Sequence, residues 1–182
     1  MAVKKEKKSE IWQWVKSIGI AVIVAFILRS YVFAPTIVNG KSMDPTLHTN
    51  ERLILSKIGE PKRFDIIVFH APDGRDYVKR VIGFPGETVE IKDDTLFIDG
   101  KACKEAYLRE GKKAFANKYG KARKFTEDYP QIKVPKGDLF VLGDNRPVSE
   151  DSRSIGPISQ SKIIGKAKLS VWPLKDVGLV GK

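Results

Sequence analysis

From Leu47 onward the chain is patterned mostly with period two, in short runs separated by turn residues, and this limits what it can fold into more than any other feature. Arg52–Ile58 alternates Leu53 and Leu55 against Ile54 and Ser56, and Phe64–His70 is an apolar run of the kind buried on both faces. Tyr77–Gly83 follows a Pro72-Asp73-Gly74 turn. Thr88–Ile91 and Thr95–Ile98 flank Asp93-Asp94, a hairpin signal. Leu139–Leu142 and Ile163–Val171 complete the candidate strands. No long amphipathic helix follows the N-terminal segment, and no internal repeat is present. The expected fold is therefore mostly β. A chain of 182 residues supports one domain with a real core, or a smaller domain plus an anchor.

The N-terminus does not share this pattern. Residues 1–10 are a basic start carrying Lys4, Lys5, Lys7 and Lys8, and residues 11–33 are apolar apart from Gln13, Lys16, Ser17, Arg29 and Ser30. The uncharged run Ser17–Leu28 is 12 residues, short of the roughly 20 that a spanning helix needs. Snorkelling of Lys16 and Arg29 extends it, with Trp12, Trp14 and Tyr31 at interfacial depth. A cleavable leader is the main competitor, but Val32-Phe33-Ala34-Pro35 lacks a small-x-small pattern. An uncleaved single-pass anchor over 11–33 is expected, with the N-terminus cytoplasmic and residues 34–182 forming an extracytoplasmic β domain.

Net charge is +11, which suits an anionic membrane, a wall polymer or nucleic acid without choosing among them. Much of the charge lies in a basic insertion at about 102–131, where Tyr107, Phe115, Tyr119 and Phe125 are interleaved with lysines. This stretch reads as a partly ordered loop whose aromatics pack on the sheet, in preference to a single-strand nucleic-acid platform. Cys103 is the one cysteine, so neither an intrachain disulfide nor a cysteine zinc site is possible. Lys101 and Lys104 beside it would lower a thiol pKa, but an incidental cysteine is the plainer reading.

Chemistry has three candidate stretches. Asn39–Leu47 (NGKSMDPTL) holds Ser42 between the chain breakers Gly40 and Pro45, in irregular backbone where a hydroxyl and an N–H can face a bound carbonyl. A plain turn has the same composition. Activation by histidine has only His48 and His70 to draw on, and neither has a supporting context. Lysine is the alternative base. The single Ser-x-x-Lys match, Ser159 to Lys162, equals what 11 serines and 24 lysines give by chance. Lys41 adjoins Ser42 but points to the opposite face of an extended segment. Lys79 sits inside the apolar strand pattern Tyr77–Gly83. Bringing its pKa from about 10.4 to about 8 costs roughly 3 kcal/mol, which an apolar pocket supplies and a neighbouring cation, Arg80 or Arg153, would assist. The third stretch, Gly143–Arg153, packs two Asp/Arg combinations and hydroxyls after the strand Leu139–Leu142, as a polar turn or as support for a buried amine.

Taken together, Gly40–Leu47, Tyr77–Glu87 and Gly143–Arg153 resemble the serine, lysine and third boxes of the bacterial type I signal peptidases. The single anchor and small size most resemble the Gram-positive subgroup. The resemblance implies a β catalytic domain of coiled antiparallel sheets outside the membrane, working as a monomer without metal or cofactor. It implies Ser42 as nucleophile, Lys79 as general base, Ser149 hydrogen-bonded to the lysine, and an Asp151–Arg153 supporting pair. Val38, Gly40, Met43, Leu47, Tyr77 and Val78 would line the substrate site. The substrates would be secretory preproteins cut after small-x-small sequences, with membrane lipid as the other partner and no nucleic acid. Some members carry a serine where this chain has Gly40, so oxyanion donation here falls to backbone groups.

Two other functions compete. A self-cleaving Ser-Lys repressor needs an N-terminal helix-turn-helix, and residues 1–33 offer an apolar span instead. A non-catalytic basic surface protein would bind anionic lipid or wall polymer and be indifferent to loss of Ser42.

Overall fold

Two antiparallel sheets carry the chain, and their longer strands can be traced to the alternation above. The computed structural model describes residues 3–27 and 32–181. Helix α1 (Val3–Ile27) is followed by strands β1 (Phe33–Ile37), β2 (Arg52–Ser56), β3 (Ile66–His70) and β4 (Asp76–Gly83). Strands β5 (Thr88–Lys92), β6 (Thr95–Ile98) and β7 (Lys101–Cys103) lead to helix α2 (Arg109–Tyr119) and β8 (Tyr129–Lys133). Then come β9 (Asp138–Leu142), a four-residue helical turn α3 (Ser152–Ile155), β10 (Ile158–Ser159), β11 (Ile163–Trp172) and β12 (Gly178–Leu179). The larger sheet runs β1-β2-β11-β3-β4-β9-β10, with β12 also paired to β11, and the smaller runs β7-β6-β5-β8.

The strands expected from the sequence are present with ends displaced by a residue or two. The Asp93-Asp94 hairpin forms, both aspartates taking positive φ, 48° and 58°, as a primed turn requires. Strands β1, β7, β8, β10 and β12 lie outside the runs read from the sequence: β1 opens at the end of the apolar segment, β7 and β8 border the insertion, and β10 and β12 are two residues each.

The insertion departs from expectation. Instead of a loop it contains α2, eleven residues rich in the helix formers Arg, Glu, Lys and Ala, ended at Gly120. No residue of α2 is fully buried, and its short apolar side is outnumbered by charge. Phe115 nevertheless stacks on Tyr119 and Phe125, at centroid distances of 4.7 and 5.5 Å. The returning segment docks on the hairpin turn: Thr126 N donates to Asp94, and Lys124 bridges Asp93 and Asp128.

Strand β4 is the axis of the larger sheet. It pairs with β3 and β9 and is buried from Val78 to Gly83 on both faces, so Lys79 and Arg80 both point into protein. One core cluster (Val38, Met43, Leu47, Leu53, Leu55, Val68, Val78) lies beneath the loop that follows β1. Burial of Val38, Met43 and Leu47 contributes about 2 kcal/mol each and pins that loop on both sides of Ser42. A second cluster around Ile82, Val89, Phe140 and Leu142 fastens the two sheets together.

Among the described residues no helix is long and apolar enough to cross a membrane. Of the stretch 11–33 expected as an anchor, residues 11–27 are helical in α1, Leu28 to Tyr31 lie outside the described residues, and Phe33 opens β1.

Candidate active site

Residues 39–47 form a loop rather than a continuation of β1, because Gly40 turns at φ +88° and Pro45 bars a helix. Ser42 on this loop meets Lys79 from the middle of β4: the Lys79 Nζ donates to Ser42 Oγ at 2.8 Å and to the Val78 carbonyl at 3.1 Å. It also lies 4.8 Å from the centroid of the Tyr77 ring. Lys79 is 4% exposed. Burial lowers its pKa from 10.5 to about 8, with the charges of Asp151 and Glu150 working in the opposite direction.

The expected assistance from a neighbouring cation is not the cause. Arg80, one residue on and so on the other face of the strand, is held by Asp144 at 2.8 and 2.5 Å. Arg153 is neutralised by Asp151, with Nε and Nη2 each at 2.8 Å. The charges that act on the amine are therefore acidic, and desolvation overcomes them.

The third stretch grips the nucleophile loop from behind. Asn145 N donates to the Ser42 carbonyl at 2.9 Å, and its Nδ2 donates to the Lys41 carbonyl at 2.9 Å. A Cβ at Gly143 would sit 2.1 Å from Ser149 Oγ and 2.5 Å from the Ser42 carbonyl, so only glycine permits this approach. Asp151 is fully buried; it accepts from Gly143 N and from Arg153 and so fixes the turn. The resemblance implies a bond from Ser149 to the lysine, and the structure differs. The Ser149 Oγ is buried with no hydrogen-bond partner among the described residues, while the Lys79 amine donates to Ser42 and to the Val78 carbonyl.

Val38, Met43, Leu47 and Val78 are core residues under the loop, at most 8% exposed, and shape the site from below. Tyr77 is half-buried; its hydroxyl donates to Glu150 and Asp73. Lys41 is exposed. His48 pairs with Glu51 and His70 with Asp76, both away from Ser42. Ser159 bonds Ser161. Burial raises the Cys103 thiol, with Arg63 opposing, so flanking lysines do not activate it.

Sequence reasoning passes over Asn145, Thr46 and two residues of the insertion. Thr46 donates to Asp144 at 2.5 Å, the Arg80 guanidinium lies 4.0 Å from the Tyr107 ring centroid, and Glu105 closes on buried Arg146. Glu105 and Tyr107 lie far from the boxes in sequence and carry no local signal. Asn145 could have been found as the polar residue inside the Asp/Arg turn.

The site thus brings a serine hydroxyl against a desolvated amine on an antiparallel β scaffold. A sequence model of the family described as Signal peptidase, peptidase S26, matches residues 11–172. Signal peptidase I of Bacillus licheniformis is 44% identical over 177 residues, covering 94% of each chain. Signal peptidase I T of Bacillus subtilis (strain 168) is 45% identical over 179 residues, covering 95% of this chain and 91% of the relative. Signal peptidase IB of Staphylococcus aureus (strain COL) is 40% identical over 178 residues, covering 93% of each. The crystal structure of a signal peptidase I from Enterococcus faecalis V583 superposes with a TM-score of 0.55 at 42% identity, covering 60% of this chain and 98% of that one. The chain belongs to the signal peptidase family, peptidase S26. It is a peptide hydrolase that removes signal peptides.

Proposed function

We propose that the protein is a membrane-anchored serine endopeptidase in which Ser42 and Lys79 form the catalytic dyad. The observation that carries this reading is the 2.8 Å contact between a 4%-exposed amine and the Ser42 hydroxyl. Neutral Lys79 takes the Ser42 proton as Oγ attacks the carbonyl carbon of the scissile peptide. The tetrahedral oxyanion is met by backbone N–H groups of the loop, a contribution of about 3–4 kcal/mol per donor. Lys79 then returns the proton to the departing nitrogen, the C–N bond breaks, and an ester to Ser42 remains. Water gives a proton to the same amine and its hydroxide adds to the ester; collapse breaks the bond to Ser42 Oγ, which takes the proton back from Lys79, and releases the carboxylic acid. Asp151 and Arg153 keep the turn behind the dyad rigid, and Ser149, unbonded at rest, is placed to accept from the lysine when Ser42 leaves it.

The substrates are secretory preproteins cut after small-x-small sequences, and Val38, Tyr77 and Val78 with Gly40 shape the shallow site for those side chains. Support for an anchor comes from α1. Ile18, Ile20, Val22, Ile23 and Phe26 are all exposed around a helix whose start is lysine-rich, an arrangement that water does not stabilise. We place the catalytic domain on the extracytoplasmic side of that anchor, at a fixed height above the membrane where the cleavage site emerges.

Ser42→Ala and Lys79→Ala in the full chain test the dyad with a preprotein substrate. Both are expected to abolish cleavage while the far-ultraviolet circular dichroism is unchanged. Full activity in either variant sinks the reading. Alkaline extraction of membranes tests the anchor: recovery of the full chain in the soluble fraction would remove it.

A further inference from the structure

A cavity of about 1030 Å³ opens beside the nucleophile loop, between that loop and the insertion. Its lining includes Asp44, Pro45, Asn145 and Ser149 from the two stretches that build the site, and nothing from β1 or β4. Its near end lies beside the Ser42 loop at Asp44 and Asn145. The far wall is α2 and the segment after it, held on the loop by a close approach: a Cβ at Gly111 would lie 3.2 Å from the Phe125 ring and 3.5 Å from Pro45 Cδ.

Two features of the walls point to a bound peptide. Asp44 Oδ1 is buried in the wall beside Ser42 with no hydrogen-bond partner among the described residues, an unsatisfied acceptor at the near end of the groove. At the insertion end, Lys118 and Arg123 both stack on the Tyr119 ring, 5.0 and 5.4 Å from its centroid. Neither has a carboxylate within ion-pair distance among the described residues. The other cations of the wall are spent: Lys124 on Asp93 and Asp128, Arg146 on Glu105, Arg153 on Asp151. Glu110 and Glu127 also line the cavity, so its charge is mixed and the free positive pair is local to Tyr119.

We propose that this groove binds the residues that follow the scissile bond, and that Tyr119, Lys118 and Arg123 favour substrates with an aromatic or acidic side chain early in the mature segment. The inference rests on the dyad reading, under which the small side chains before the bond lie along Val38, Tyr77 and Val78. The chain must then leave Ser42 over Asp44 and Asn145, into the groove. The insertion, which the catalytic steps do not use, becomes the specificity element of the leaving side.

The test uses the full chain in non-ionic detergent micelles and two quenched peptides identical up to the cleaved bond. One continues with phenylalanine, glutamate and aspartate, the other with alanine and serine only. The ratio of kcat/KM for the acidic to the neutral peptide is expected to be about tenfold in wild type and to fall with added salt. In the double variant Lys118→Glu, Arg123→Glu it should drop to about one or below. Tyr119→Leu, at an exposed position, should lower it as well and keeps the test decisive if the double variant fails to fold. A wild-type ratio of one, or a ratio that neither variant moves, overturns the proposal. So does an unmoved ratio accompanied by variant-sensitive binding to vesicles containing anionic lipid, which would assign the cations to the membrane. Cleavage of either peptide by Ser42→Ala instead breaks the dyad reading and is a separate outcome.

Discussion

Replacing Lys79 by methionine separates the cost of burying an ammonium from its use as a base. The folded-state pKa is about 8 against an ordinary value of 10.5, and the first cause is desolvation. At 1.36 kcal/mol per pH unit this difference is worth about 3 kcal/mol. The sign is that of a lowered base: between about pH 8 and 10.5 the unfolded chain binds more protons than the folded one, so stability rises with pH across that window. Below pH 8 the full penalty applies. Lys79→Met removes it, losing the hydrogen bonds to Ser42 Oγ and the Val78 carbonyl, about 1 kcal/mol between them after solvation is counted. The variant should be inactive yet about 2 kcal/mol more stable than wild type at pH 7, with the advantage gone by about pH 10.5. Urea denaturation of both proteins from about pH 6 to 10.5 measures this. In parallel, wild-type kcat/KM should climb to a plateau with a midpoint near pH 8, since about one amine in ten is neutral at pH 7 instead of about one in three thousand. A methionine variant less stable than wild type at every pH, or an activity midpoint near about 10, would refute the reasoning.

Glu150→Gln removes one of the two negative charges that hold the Lys79 pKa up, so the activity midpoint should move acid-ward by about 0.3 pH in a pH–rate profile. Gly143→Ala forces a methyl group into Ser149 and the Ser42 carbonyl; about 1–3 kcal/mol of stability should be lost in thermal unfolding, and kcat should fall by about tenfold or more. Asn145→Ala deletes the bond to the Lys41 carbonyl while keeping the backbone bond to Ser42; single-turnover kinetics should show about a severalfold loss in the chemical step with KM little changed. Asp144→Asn leaves the buried Arg80 guanidinium uncompensated and should cost about 3–5 kcal/mol in denaturant unfolding.

The insertion shows how much a sequence can hide. Its lysines and glutamates read as a solvated loop, because the apolar side of α2, centred on Phe115, is short and no residue of the helix is fully buried. Glu105 and Tyr107 complete the buried sites of Arg146 and Arg80 from the same stretch, a partnership fixed by chain geometry and not by any local pattern. Ser149 errs in the other direction: its neighbourhood is legible, but whether its hydroxyl reaches the amine is decided by packing, and it is unbonded among the described residues.

Alternation and turn chemistry fixed what is local: antiparallel strands near Arg52, Ile66, Thr88, Thr95 and Asp138, the Asp93-Asp94 hairpin, and a serine in irregular backbone. They also placed Lys79 within an apolar strand, which is enough to say that its charge would be costly. Only the tertiary structure decided that β4 is central and covered on both faces, that the loop after β1 folds over it, and that Asn145 and Gly143 press that loop to 2.8 Å from the amine. The physical reason is that desolvation and close approach depend on what packs from other parts of the chain. Periodicity reports which way a side chain points, and the fold alone determines what it meets.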